Sequence, residues 1–236
     1  NGGSSNYASA YCATIGGGIG NTAVGMWSTV AGGSGHTADG SYSVVAGGFG
    51  TGVSGTSASS IGASQTSIAG DGSAAFAGDM NTIVGNYSSL VGGTQGLVQG
   101  TYSSIAGGVM NSIVGHYSTI LGGRNNYAQS YAFVNGGEQN TAGDYAAVLG
   151  GRGNRATGTL SFIGGGVQNS AGGMAAVVGG GQANTAGGDY DTIVGGTGHT
   201  ATGSYNLING GMGVQVLDSV AATVIGGTLT TVSGSS

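Results

Sequence analysis

The sequence predicts an all-β fold: a solenoid of about fifteen coils of 14–16 residues, running as one repeat array over residues 1–236. Three observations predict it. A module recurs along the chain, so that Thr101 to Gly115, TYSSIAGGVMNSIVG, is followed by His116 to Ser130, HYSTILGGRNNYAQS. Two positions of this module are apolar in nearly every copy. The module is also short. Two strands and two turns fill it, because a strand residue advances about 3.3 Å, whereas a helix needs roughly ten residues and better formers than Gly, Ser and Thr.

Composition sets the limits. The chain carries 57 glycines, no proline, eight acidic residues and three basic ones. It is too poor in charge to stay dispersed as a disordered coil and apolar enough to fold. A collagen helix is excluded because there is neither a Gly-X-Y period nor proline. A net charge of −5 argues against nucleic acid and anionic membrane, which both require basic patches. Cys12 is the single cysteine, so there is no internal disulfide framework. No apolar run approaches a membrane span and no signal peptide is present. Targeting and anchoring pieces are expected outside this sequence, in a longer fibre protein.

The first Gly of each Gly-Gly marks the modules in order. It falls at Gly17, Gly32 and Gly47, at a degenerate Gly62 and Ala77, and at Gly92, Gly107 and Gly122, a spacing of fifteen. It then drifts through Gly136, Gly150, Gly164, Gly179, Gly195, Gly210 and Gly226, in steps of 14 to 16. Turns absorb such drift. Two residues before the marker stand Ile15, Val30, Val45, Ser60, Ala75, Leu90, Ile105, Ile120, Val134, Val148, Phe162, Val177, Ile193, Ile208 and Val224. The second column is Ala23, Ala38, Val53, Ile68, Ile83, Val98, Ile113, Ala128, Ala142, Ala156, Ala171, Ala186, Ala201, Val216 and Val232. The two columns are expected to meet inside a thin coil, and coils stacked at about 4.8 Å per strand make a rod on the order of 70 Å long.

A third column directly precedes the marker: Gly16, Ala31, Ala46, Ile61, Phe76, Val91, Ala106, Leu121, Asn135, Leu149, Ile163, Val178, Val194, Asn209 and Ile225. Neighbours on a strand point to opposite faces, so this column points out, yet it is apolar at twelve of fifteen places. A strand apolar on both faces is buried on both, and a lone rod would expose an apolar stripe too large for a soluble monomer. Self-association covers it, with Ala31 through Ile225 as the interface. The alternative is a wider coil that wraps this column inside.

The corners carry turn residues. The Gly-Gly and the closing Gly are assigned to positive φ. Asn21, Asn81, Asn111, Asn126, Asn140 and Asn154 recur at one corner, with Asn169 and Asn184 displaced by one. Asn tolerates the left-handed conformation, and stacked copies form an amide ladder. His36 and His199 take the same corner as structural punctuation.

Three residues before the first inner column runs an edge column: Cys12, Trp27, Tyr42, Ser57, Gly72, Tyr87, Tyr102, Tyr117, Tyr131, Tyr145, Thr159, Met174, Tyr190, Tyr205 and Ala221. Its Trp and eight Tyr are candidates for contact with a sugar or protein, since Tyr joins a large rigid surface to a polar tip. The alternative is that the rings stack on one another and seal the corner between chains. The break at Ser57 and Gly72, where the repeat is weakest, is either a bulge or a local ligand site.

Units such as YSTILGGRNNYAQS and DYDTIVGGTGHTATG resemble the head repeats of trimeric autotransporter adhesins of the YadA type, and they are similar to repeats of phage and bacterial fibre proteins. The resemblance covers essentially the whole chain. It implies a left-handed parallel β-roll with three chains around one axis, and hence a homotrimer. This sequence is richer in Gly-Gly and its unit is often one residue longer. A coiled-coil stalk and a membrane anchor are absent from it, and they are expected in flanking sequence.

No constellation supports an enzyme, a cofactor or a metal. His36, His116 and His199 lie many coils apart and cannot converge on one ion. The acids Asp39, Asp71, Asp79, Glu138, Asp144, Asp189, Asp191 and Asp218 fall mostly in turns, where they are expected to be solvated; Asp189 and Asp191 are close enough for a weak cation contact. The Gly-x-Gly runs do not lie between a strand and a helix, so they are not phosphate loops. Asn135 and Asn209 interrupt the outward column, either as rings of amides that trap an ion or water at the axis, as a buried Asn sets register in a coiled coil, or as local defects.

The function expected is a non-enzymatic trimeric adhesin head, attaching to host cells, matrix or other surfaces through many weak contacts. Its partners are its own copies and a host-surface glycan or protein, and its location is the outside of a bacterial cell. The alternative is a phage tail-fibre segment of a virion that binds a host receptor. A minor alternative is ice binding, suggested by a column of Thr22, Thr37, Thr82, Thr141, Thr185, Thr200 and Thr231, which Leu97, Tyr127 and Arg155 interrupt.

Overall fold

A computed structural model describes residues 2–234. The chain is an all-β parallel solenoid of about fifteen coils, and no helix occurs among the described residues. It divides into two compact units, Asn1–Gly122 and Gly123–Ser236, which are built alike. Each coil contributes two strands, mostly of two or three residues, to two separate sheets. In the first unit Ser104 and Ile105 pair in parallel with Thr119 and Ile120 in one sheet. Thr82 and Ile83 pair with Leu97 and Val98 in the other. In the second unit the corresponding pairs are Phe133 and Val134 with Ala147 and Val148, and Thr141 and Ala142 with Arg155 and Ala156.

The inner side chains of the two sheets form each unit's core. Val30, Val45, Leu90, Ile105 and Ile120 from one sheet, and Ala23, Ile68, Ile83, Val98 and Ile113 from the other, are fully or almost fully buried. Ser60 is the polar exception, and its hydroxyl is buried without a partner.

One stretch corrects the sequence reading. Val148 pairs with Ile163, Ile163 with Val178 and Val178 with Ile193. Ile163 and Val178, expected on the outward column, are therefore fully buried. Phe162 and Val177, expected inside, stand half-buried on the outer face. The cause is a run of three glycines at 164–166 and again at 179–181. The marker is the second Gly of each run, Gly165 or Gly180. With that correction Asn169 and Asn184 lie in register rather than displaced. The step is then 14 between Gly122, Gly136 and Gly150, 16 between Gly210 and Gly226, and fifteen elsewhere.

The corners also differ in detail. The left-handed residue at the Asn corner is the one before the Asn: Met80 at φ 53°, Met110 at 54° and Gln139 at 56°. The Asn that follows turns inward and is buried, as Asn111 and Asn140 are. At the opposite corner the closing Gly, Gly203 apart, does not take positive φ; the next residue but one does, and it is usually the aromatic, such as Tyr102 at 57° or Tyr145 at 57°. The closing Gly is needed for another reason. A Cβ on Gly100 would collide with the carbonyl oxygen of Gly115 in the next coil.

Candidate functional site

Three features of the coil bear on function: a buried polar ladder, an outward apolar face and an aromatic edge. The ladder fixes the coil spacing. Asn140 shows its pattern: the Asn154 amide donates to its Oδ1 at 3.0 Å, and its Nδ2 donates to the Gly136 carbonyl at 2.8 Å and to the Gly151 carbonyl at 3.0 Å. Asn154, Asn169 and Asn184 repeat it. Each amide thus satisfies buried backbone groups of its own coil and of the following one, where an orphan would cost about 1–3 kcal/mol.

His36 and His199 stand in this ladder. The backbone amides of His36 and His199 donate to Asn21 and Asn184 Oδ1. Each ring accepts through Nδ1 from the next coil, His36 from Thr51 at 3.2 Å and His199 from Val214 at 3.1 Å. An accepting Nδ1 places the proton on Nε2, and both Nε2 atoms are buried without a hydrogen-bond partner among the described residues. Burial, the largest cause, pushes the His36 pKa below 6.5. His116 differs: it is exposed at the opposite corner, with Nδ1 accepting from Thr101 at 3.0 Å.

Asp189 and Asp191 do not form the expected cation pair. Asp189 is exposed and accepts from the Met174 amide. Asp191 is fully buried rather than solvated; Oδ1 accepts from Asn206 N–H and Nδ2, and Oδ2 from Gly188 N–H. The hydrogen bonds of Asp191 compensate its burial. Its position in a column of Ser and Ala, broken elsewhere by Asn206 in the next coil, is the signal that the sequence offered and that a turn assignment overlooked.

The outward column lies outside each coil, so the wider coil that would have enclosed it is overturned. Ile61, Phe76, Val91 and Leu121 in the first unit, and Leu149, Val194 and Ile225 in the second, are all exposed, Phe76 least at 41%. Ala31 and Ala106 are exposed and Ala46 is half-buried. Asn135 and Asn209 point outward and are exposed in the single chain. At the 163–164 and 178–179 coils the outward place belongs to Gly164 and Gly179. The other outward position of the same sheet, from Thr14 through Thr119 to Thr223, is likewise uncharged. This face presents apolar and small hydroxylated side chains with no Asp, Glu or Arg among the described residues.

The aromatic edge runs along the corner between the two sheets. Its residues hold the left-handed conformation throughout, Trp27 at φ 61°, Tyr42 at 59°, Tyr87 at 53°, Tyr117 at 56°, Tyr131 at 56°, Tyr190 and Tyr205 at 59°. That conformation costs a side-chain-bearing residue roughly 1–2 kcal/mol, and ring stacking worth about 0.5–1.5 kcal/mol per pair offsets it. Tyr87 stacks on Tyr102 with centroids 5.1 Å apart, Tyr102 on Tyr117 at 5.2 Å, Tyr131 on Tyr145 at 4.6 Å and Tyr190 on Tyr205 at 4.8 Å. Trp27 and Tyr42 lie parallel at 6.4 Å. The edge positions at the shifted coils are Leu160 and Ala175, in place of Thr159 and Met174. The break at Ser57 and Gly72 is not a bulge: both keep the left-handed φ, 56° and 62°, and the strands beside them pair in register.

The threonine column lies on the outer face of the second sheet, with Thr22, Thr82, Thr141, Thr185 and Thr200 half-buried and Thr37 and Thr231 exposed. Arg124 forms an ion pair with Glu138 at the Asn corner, side by side in successive coils. No protein-family model matches the chain, and no curated protein matches it.

Proposed function

We propose that this chain is a non-enzymatic attachment fibre: a left-handed β-roll in which three copies associate through the outward apolar face, leaving the aromatic edge and second sheet to meet an extracellular surface. The observation that carries the reading is the outward column, where Ile61, Phe76, Val91, Ala106 and Leu121 stand exposed in successive coils on a face without charge. Burying such a stripe contributes about 25 cal/mol per Å² of apolar surface removed from water. A repeated surface then multiplies weak contacts by the number of copies and coils. The resemblance to trimeric autotransporter heads supports the number three and the handedness, and suggests a location on the bacterial surface. A virion tail fibre would use the same physics.

Light scattering on a size-exclusion column tests the assembly. The expected mass is three times the 22.2 kDa of the chain. Val91→Asp combined with Leu121→Asp places charges on the interface and is expected to yield monomer with the same β-rich circular dichroism. A soluble wild-type monomer would sink the proposal. Attachment is tested by retention of the trimer on glycan- and matrix-protein-coated surfaces, with the monomeric variant expected to detach faster.

A further inference from the structure

Along most of the edge the stacked rings cover one another, so they offer solvent their rims and hydroxyls rather than their faces. The face is what an amphipathic ring ligand needs, and it opens where the stack stops. In the first unit Tyr42 is backed by Trp27 on one side, and on its other side the next two edge positions are Ser57 and Gly72. Tyr87 is backed by Tyr102, and its free side looks back over Gly72, where a Cβ would touch its ring. Tyr42 and Tyr87 are 57% and 59% exposed against 51% for Tyr102 inside the stack. Three coil steps separate the two faces, about 14 Å at the usual strand spacing.

We propose that this interval is a carbohydrate-binding notch, an inference that rests on the attachment reading above. The floor supplies polar groups already held in place. Asp71 Oδ1 accepts the Thr56 amide at 2.7 Å, and the Asp71 amide donates to Asn86 Oδ1 at 2.9 Å, so the carboxylate is held from the preceding coil and its backbone from the following one. Its Oδ2 has no partner among the described residues, and Ser57 is exposed beside it.

A ligand here must lay an apolar face on tyrosine and bring O–H donors to a carboxylate. A pyranose does both through its C–H face and its hydroxyl rim. An apolar or aromatic peptide side chain would strip water from Asp71 and return no donor, a net loss. The interval in the second unit is a natural contrast. There Leu160 and Ala175 fill the edge, and Met174 stands where Asp71 does, so the open floor is missing although Asp189 supplies a carboxylate at its far end.

The test uses variants that complete the ladder. Ser57→Tyr with Gly72→Tyr puts the repeat's own residue at two positions already in the left-handed conformation, with the Tyr87 ring swinging back from Gly72 to the stacked spacing, and circular dichroism checks that the fold is kept while the notch is filled. The probe is a printed array of oligosaccharides built from hexoses, N-acetylhexosamines, fucose and sialic acid, followed by titration with whichever is retained. Wild type is expected to bind; S57Y/G72Y is expected to lose binding and L160Y/A175Y to keep it. Asp71→Ala is expected to weaken binding about tenfold, the worth of one charge-assisted hydrogen bond. Retention by S57Y/G72Y equal to wild type would overturn the site while leaving the fibre reading intact. Wild type that ignores every glycan but is held by protein-coated surfaces would do the same. Retention on neither kind of surface would remove both.

Discussion

At His36 a ring does the work of a carboxamide and does half of it. Nδ1 reproduces the accepting oxygen, but Nε2 is left without the carbonyl bonds that the Asn nitrogen makes in other coils. Burial disfavours the imidazolium and lowers the pKa, with the backbone at Gly48 and Thr51 opposing it only in part. The unfolded chain binds its proton near 6.5 and the folded ring resists it. The stability that the neutral ring contributes is therefore complete above 6.5 and declines as pH falls through the range below it. His36→Asn should raise the thermal midpoint, by about 1 kcal/mol of stability from the restored hydrogen bonding. The gap to wild type should widen between about pH 7.5 and about pH 5. A gap that stays constant across that range would refute the assignment. Tyr102 separates two other energies. Tyr102→Ala keeps the left-handed strain and loses both stacks, while Tyr102→Gly loses the stacks and relieves the strain. The alanine variant is expected to be the less stable of the two by about 1 kcal/mol in chemical denaturation.

At the scale of the coil, the repeat was legible because it obeys two periods at once: two residues within the strand and about fifteen from coil to coil. Ile105 and Ile113 announced the core, and Ala106 the outward face, from alternation alone. Three things were hidden. A triple glycine has no internal landmark, so Phe162 and Ile163 exchanged faces by one residue. Tyr at positive φ contradicts ordinary residue preference, and nothing local in the sequence says that a neighbour fifteen residues away compensates it. Asn was assigned to a left-handed turn because it often sits there, whereas its true place is inside, bonding backbone that only the stacked coil brings near. Asn140→Ala removes three such bonds and is expected to destabilise the second unit by about 2–4 kcal/mol, read from the midpoint of denaturant unfolding. An exposed control such as Thr157→Ala should change it by less than about 0.5 kcal/mol.

For the whole molecule, the sequence carried the apolar outward column but not its partner, since one chain cannot display what covers it. Association makes stability depend on concentration. The thermal midpoint of the wild-type protein is expected to rise with protein concentration, and that of V91D/L121D to stay constant. A concentration-independent midpoint for both would mean that the face is tolerated bare. The candidate notch was legible as an interruption of the aromatic column. That Asp71 is clamped across coils, and that the second interruption is apolar at Leu160, needed coordinates.

The polar ladder has a direction. Along this column each Asn Oδ1 accepts from the backbone amide one coil on: Asn126 holds the amide of Asn140, and Asn140 holds that of Asn154. A lesion is therefore inherited downstream. In N140A the amide expected to exchange faster with solvent deuterium is that of Asn154, one coil on, while the amide of residue 140 keeps its protection. Gly96 already lives by this rule, receiving a bond from Asn81 without a side chain to pass one on. The chain can thus forget its motif for a coil and resume it, because each turn is held by its predecessor's memory rather than its own.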